Sequence, residues 1–435
     1  MATVDGVIGE GSPRRESPSA QAQMTIGLII LMIAFSVAPI VNTFRTGMKK
    51  DYPLWYSIGR IVLDGGEIYP TEPGKLFPFM YPPSCASMLA IGSLVGEKAF
   101  VIGLVLINSA AWLACILLSV YLVTGRPLPK SPLIYIVPTA AVLPFIHDTY
   151  LLGQPSVLLL ALMLGAFACL RLGRDWSAGA LIAIGAGIKA FPILAVGYLV
   201  YRRHWKATIA TLVILVGLLL VLPLPFRGPV RTWTDLETWT RGMVLKYDED
   251  GIAQRPDRCY SFKNQSIMAL GNRMLRSIPA DGEADLSWKV NIADLDFKTV
   301  NRIIAGVSLA LCLFYIGVMP KSSRRTHLTD GIEFAMLCIL ILFFTPLSFN
   351  YSYAWLMFPL SVVMSLAMGA PAGSPERRAR LLCCGFSIAI LALAIPMLRG
   401  AQAYGNVMIS GLVLYLWLGF ELWRSGRNPE PLPSA

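Results

Sequence analysis

The stretch MTIGLIILMIAFSVAPIVNTF, residues 24–44, carries no charged side chain anywhere along its length. A helix needs about 20 such residues to cross the ~30 Å hydrocarbon layer of a bilayer. Further apolar runs follow at roughly 98–124, 132–147, 154–172, 176–200, 206–226, 300–320, 330–348, 352–370, 381–398 and 404–423. The composition agrees, with 55% hydrophobic and 14% charged residues and a mean hydropathy of +0.60. Soluble domains carry about 25% charged residues, so an ordinary soluble enzyme is excluded. An all-α integral membrane protein is expected. The net charge of +11 does not call for a nucleic-acid partner. Lys and Arg sit in short clusters between the apolar runs, as the positive-inside bias requires.

Those clusters fix the expected sidedness. They are Arg14-Arg15, Arg126 with Lys130, Arg171 with Arg174, Arg202-Arg203 with Lys206, Lys321 with Arg324-Arg325, Arg377-Arg378 with Arg380, and Arg424 with Arg427. All are cytoplasmic only if 176–200 crosses an even number of times. That segment then reads as a short helical hairpin with its tip near Lys189. A bundle of about twelve transmembrane helices follows, multi-pass in the cell membrane, with both termini inside. Residues 1–23 and 425–435 read as disordered cytoplasmic tails around a membrane domain at 24–424. Residues 24–44 read as an uncleaved first span. The cysteines show no metal or disulfide spacing, and no acidic cluster suits a divalent metal.

Two outer loops are long, 45–97 and 227–298, and place the chemistry on that face. Within the first, Leu54, Ile58, Ile61 and Val62 recur at helical spacing opposite Ser57, Arg60 and Asp64. This pattern predicts an interfacial amphipathic helix stopped by Gly65-Gly66. Tyr81-Pro82-Pro83 opens a second apolar stretch, 84–95, too short to span. Two interfacial helices suit an enzyme that handles a lipid headgroup.

Several residues offer chemistry, each beside a plainer reading. Asp51, just beyond the first span, has the character of a general base or of a solvated interfacial acid. Asp64 and Glu67, flanking the glycine turn, share the second reading. Lys189, in an apolar run interrupted by Gly and Pro, either meets a phosphate or snorkels to the headgroups. Gln154, in Gly153-Gln154-Pro155-Ser156, either bonds a sugar hydroxyl or caps a helix. His147 and Asp148 form a second acid–base candidate of lesser weight. Asn264 and Gln265, in Lys263-Asn264-Gln265-Ser266, are sugar-hydroxyl partners, or an N-cap, or part of a glycosylation sequon. Asn350, in Thr345–Tyr353, lines a sugar site or belongs to an aromatic belt.

In order and membrane placement, these pieces resemble glycosyltransferase family 87, a GT-C-type group that includes α-mannosyltransferases. The resemblance rests on Asp51 and Tyr56 followed by Leu63-Asp64-Gly65-Gly66-Glu67-Ile68-Tyr69 and Tyr81-Pro82-Pro83. It continues through Gly153-Gln154, Ala178-Gly179 with Lys189-Ala190-Phe191-Pro192, and Asn264-Gln265-Ser266 with Arg273. It implies hexose transfer from a polyprenyl-phosphate donor to a lipid- or glycan-linked acceptor on the outer face. Asp51 would be the base of an inverting reaction, and Lys189 with Arg273 would hold the phosphate. Tyr56, Tyr81, Gln154, Asn264, Gln265 and Asn350 would line the sugar or acceptor site. No nucleotide fold, cofactor or metal is implied. The chain departs from the family where Ser-Pro-x-Ser-Trp with His is common, because Phe349, Asn350 and Tyr351 stand there. The alternatives are a transporter or flippase of lipid-linked sugars and a structural partner in envelope assembly.

Overall fold

The computed structural model describes residues 20–48, 50–69, 79–126, 131–249, 251–252, 256–281, 288–394 and 398–427. The tails expected to be disordered lie largely outside these residues, as do Lys49 and Lys130. No strand occurs among the described residues. The helices are α1 (Ala20–Thr46), α2 (Tyr52–Leu63), α3 (Pro83–Ser93), α4 (Glu97–Thr124), α5 (Leu133–Ala141), α6 (Leu143–Leu152) and α7 (Ser156–Arg171). They continue as α8 (Asp175–Ile188), α9 (Ala195–Tyr201), α10 (Trp205–Val216), α11 (Leu224–Trp239), α12 (Pro256–Cys259) and α13 (Ile267–Leu275). The last six are α14 (Phe297–Val318), α15 (His327–Phe344), α16 (Met357–Gly369), α17 (Pro375–Ala392), α18 (Arg399–Ala403) and α19 (Asn406–Arg427).

Length and composition single out six helices able to cross a membrane, or up to eight if each of two bent pairs is one span. About twelve were expected. The difference has a physical source. Proline interrupts the apolar runs, so that α5 and α6 meet at 58° just before Pro144. In the same way α10, extended by a π-helical turn at Gly217–Val221, bends by 99° into α11 before Leu224-Pro225. The helix that begins at Leu224 carries Arg227, where the second long loop was expected to begin. Ser156–Arg171, Asp175–Ile188 and Phe191–Tyr201 are apolar but short.

The segment 176–200 runs out and back. Asp175 Oδ1 lies 3.5 Å from His204 Nδ1, so the start of α8 and the residue before α10 are neighbours. Thr211 Oγ1 donates to the Gly179 carbonyl at 3.3 Å, and Gly187 packs on Leu218. α8 and α10 therefore run side by side in the same direction, and Phe191–Tyr201 returns between them. The close approach depends on Gly179, where an added Cβ would sit 2.4 Å from the Ala207 carbonyl oxygen. We expect Gly179→Ala to cost about 1–3 kcal/mol and to lower the Tm in detergent. Gly197→Ala, with open space around it, should not. Equal melting curves for the two variants would show that α8 and α10 do not touch there.

At the far end of this hairpin, Arg202 ion-pairs with Glu333, and both side chains are buried. Tyr198 donates to the same carboxylate at 3.2 Å, and Arg202 also donates to the Pro320 carbonyl at 3.0 Å. A buried charge persists only when paired and hydrogen-bonded, so this cluster ties the return limb to α14 and α15. α15 forms the centre of the bundle, where Phe167 and Phe334 stack at 4.2 Å. α1 lies outermost, with Ile26, Ile30, Ile33 and Val37 exposed, as befits a lipid-facing helix. The amphipathic face read in the first loop packs on protein, since Ile58 and Val62 are buried and α2 lies tightly on α3.

Candidate active site

Asp51 directly precedes α2, whose first residues are Tyr52-Pro53. Its carbonyl accepts from Trp55 N, but its carboxylate makes no cap bond. That carboxylate faces the turn between α6 and α7 instead, where Gln154 Nε2 donates to Asp51 Oδ2 at 2.6 Å. Two features bring them together. Tyr52 donates to the Tyr150 carbonyl at 2.9 Å. Gly153 ends α6 at a φ of 68°, with the Tyr52 ring where its Cβ would be. A left-handed residue packed on an aromatic face is a position for glycine. Asp51 itself is half-buried.

Tyr81 extends the chain of contacts. Its hydroxyl donates to Gln154 Oε1 at 2.7 Å, and its carbonyl accepts from Tyr69 OH at 2.6 Å. The Trp55 ring meets it edge-on at 4.7 Å. Burial pushes the Tyr81 phenol well above its ordinary range, and the nearby Asp51 carboxylate acts the same way. It therefore remains a proton donor. On the other face of the site stands Lys189, at the break between α8 and the 3-10 turn Phe191–Leu194. Its ammonium lies over the rings of Tyr81, Tyr351 and Phe191 at 5.4, 5.2 and 5.6 Å. Among the described residues no carboxylate comes within ion-pair distance of it. Cation–π contacts alone offset only part of the cost of holding an ammonium there.

Lys189, Tyr81, Phe191 and Tyr351 form the polar end of a cavity of about 130 Å³. Met80, Trp239, Met243, Val244, Ile252 and Leu347 form its apolar walls. Asp51 is not a wall of this cavity but stands behind Tyr81, linked through Gln154. Ligand sites commonly measure about 300–1,000 Å³, so this cavity is smaller than most. A larger open groove of about 600 Å³ lies between the end of α1 and Val95–Ala99. Its polar side chains are Thr43, Glu97 and Lys98.

The second long loop closes the site from behind. Arg227 pairs with Asp235 at 2.7 Å and donates to the Gly66 carbonyl at 2.7 Å, which joins the two long loops. Trp239 Nε1 donates to the Met80 carbonyl at 3.2 Å. Asn264, Gln265 and Arg273 are all fully buried. Backbone carbonyls take the amide donors of Asn264 and Gln265 and the Nε and Nη1 donors of Arg273, while its Nη2 has no partner among the described residues. Asn264 donates to Cys259 and Pro346, and Gln265 to Phe262 and Gln402. Arg273 donates to Ala403, Tyr260, Ser261 and Asn264. These three side chains brace the wall that carries Pro346 and Leu347 and do not line the cavity. Asn350 donates to Gln402 Oε1 at 2.8 Å. Tyr56 packs against Phe100. His147, exposed, and Asp148, half-buried, face each other at 3.7 Å and hydrogen-bond neither Asp51 nor Gln154. Asp64 is exposed beside Arg60, and Glu67 is exposed too.

The residues not named individually from the sequence are aromatic: Tyr52, Phe191, Trp239 and Tyr351. Phe191 stands in the motif that holds Lys189, and Tyr351 in the segment read either as a sugar site or as an interfacial belt, so a signal existed for both.

Among the described residues, a bundle of apolar helices thus brings a lysine ringed by aromatics and a carboxylate to one end. The sequence matches the profile of glycosyltransferase family 87 over residues 79–346, well over half of the chain, and the protein belongs to that family. It is therefore a membrane glycosyltransferase. The match spans Tyr81, Gln154, Lys189, Asn264, Gln265 and Arg273, while Asp51, Tyr56 and Asn350 lie outside it. No curated protein matches the chain.

Proposed function

We propose that the protein moves a hexose, with mannose the first candidate, from a polyprenyl-phosphate donor to a lipid- or glycan-linked acceptor. Asp51 is the general base. It takes the proton of the acceptor hydroxyl as that oxygen attacks C1 of the sugar from the face opposite the phosphate. The C1–O bond to phosphate breaks, its electron pair leaves with polyprenyl phosphate, and the configuration at C1 inverts. A phosphate leaving group needs charge stabilisation more than a proton, and Lys189 supplies it. One carboxylate then suffices, unlike the pair of a glycoside hydrolase. Arg273 supports the phosphate site indirectly by bracing its wall. The observation that supports this reading is that Tyr81 joins two charges from distant parts of the chain, Asp51 to its hydroxyl through Gln154 and Lys189 over its ring.

The twelve-pass topology belongs to the same proposal. The basic residues Arg171, Arg202 and Arg325 gather at the end opposite Lys189. The positive-inside bias makes that end cytoplasmic and the Asp51 end outer. α7, α8 and Phe191–Tyr201 count as short crossings, and α10 and α17 are added to the longer spans. The family membership sets the chain among enzymes rather than among transporters of lipid-linked sugars. Reconstitution in liposomes with a labelled polyprenyl-phosphate mannose and a membrane glycolipid fraction tests the reading. Label should pass to the glycolipid as polyprenyl phosphate is released. If neither mannose nor any other hexose leaves such a carrier, the donor assignment fails.

A further inference from the structure

We infer that Gln154 is a positioning residue for Asp51, held in register by Tyr81, so that one phenol aligns both the base and the cation of the site. The inference rests on Asp51 acting as the base. Gln154 is only 4% exposed, and both ends of its amide are taken. Nε2 donates to Asp51 Oδ2 and Oε1 accepts from Tyr81. A sugar contact would require an amide free to face the cavity. The orientation of an amide is read from its hydrogen bonds, and here the two partners agree on one. Turned over, the amide would set its carbonyl oxygen against a carboxylate oxygen at contact distance. The Asp51 carboxylate, which can only accept, excludes that state, and the Tyr81 hydroxyl completes the observed orientation by donating to the carbonyl.

Asp51 needs such a guide. It follows Lys50, which holds a left-handed φ of 59°, and its side chain makes no bond to its own helix. The turn at Gly153 fixes Gln154, and Trp55 and Tyr69 fix Tyr81. The Tyr81 ring also carries the Lys189 ammonium. Its hydroxyl therefore governs the base, and its ring faces the phosphate-binding cation. The two functions are separable by substitution.

Transfer from polyprenyl-phosphate mannose and binding of polyprenyl phosphate are measured on the full chain in liposomes. Gln154→Ala should lower kcat about 10-fold or more, the worth of a hydrogen bond to a charged group, with donor KM unchanged. Tyr81→Phe should lower kcat while polyprenyl phosphate binds as to the native protein. Tyr81→Leu should lower kcat and also weaken that binding. Placed on Asp51→Asn, Gln154→Ala should add no further loss, because residues that act as a unit are not additive. A native kcat for Gln154→Ala beside a crippled Asp51→Asn overturns the inference alone. So does a full multiplicative loss in the double variant. A native rate for Asp51→Asn removes the base assignment, and the inference with it. Binding of polyprenyl phosphate that is weakened equally in Tyr81→Phe and Tyr81→Leu would contradict the division between ring and hydroxyl.

Discussion

Asp51→Asn should lower kcat for sugar transfer by about 10²–10⁴-fold, the usual contribution of a general base. Donor KM should hardly move. Asparagine matches aspartate in shape, and its Oδ1 still accepts from Gln154 Nε2, so the contact that places the side chain survives. What disappears is the capacity to take a proton. A neutral hydroxyl attacks poorly, and no other carboxylate hydrogen-bonds within the Tyr81–Gln154 chain to replace it. Asp51→Glu tests the geometry separately, because the longer arm keeps the base but moves its oxygen away from Gln154. Steady-state kinetics with matched thermal melts would check both. An Asp51→Asn protein that is folded and transfers at the native rate would refute the base assignment.

Lys189→Met should raise donor KM by about 10–100-fold, the worth of one charge-assisted hydrogen bond to phosphate. Methionine keeps the length and apolar stem of lysine, and its thioether packs well against aromatic rings. The break between α8 and Phe191 should therefore persist, and the Tm should not fall. The native ammonium sits over three rings with no carboxylate in ion-pair range among the described residues. An anion entering the cavity would provide what the fold withholds. Lys189→Arg should recover part of the affinity, since the charge returns on a larger, planar group. Titration with polyprenyl phosphate reads the effect directly. Unchanged affinity in Lys189→Met would remove Lys189 from the phosphate site.

The class of fold was legible because membrane burial leaves a composition that no soluble protein shares. The out-and-back course of 176–200 has the form expected if Arg174 and Arg202-Arg203 share one side. Asp175 beside His204 agrees with it. Helix lengths were less readable. An apolar run shows no break where proline bends it, and so 132–147 becomes two helices meeting at 58°. The site was readable only in part. Asp51 and Lys189 stood out because an isolated charge in or beside lipid demands a partner. Polar residues in an outer loop carry no such signal. Nothing in the sequence near Arg273 shows that the carbonyls of Ala403 and Ser261 would receive its guanidinium. The same holds for Gln154, whose partners Tyr81 and Asp51 come from a separate loop.

The most direct measurement is a structure of the full-length protein with a non-cleavable polyprenyl-phosphonate hexose bound. The phosphonate should lie within hydrogen-bond reach of Lys189 Nζ, with Tyr351 and Met80 displaced to admit the sugar. C1 of that sugar should face the Asp51 carboxylate across the space an acceptor hydroxyl would fill. A headgroup found at the Arg202–Glu333 end of the bundle would contradict the account. So would a sugar seated beside Lys189 with Asp51 closed off behind Tyr81.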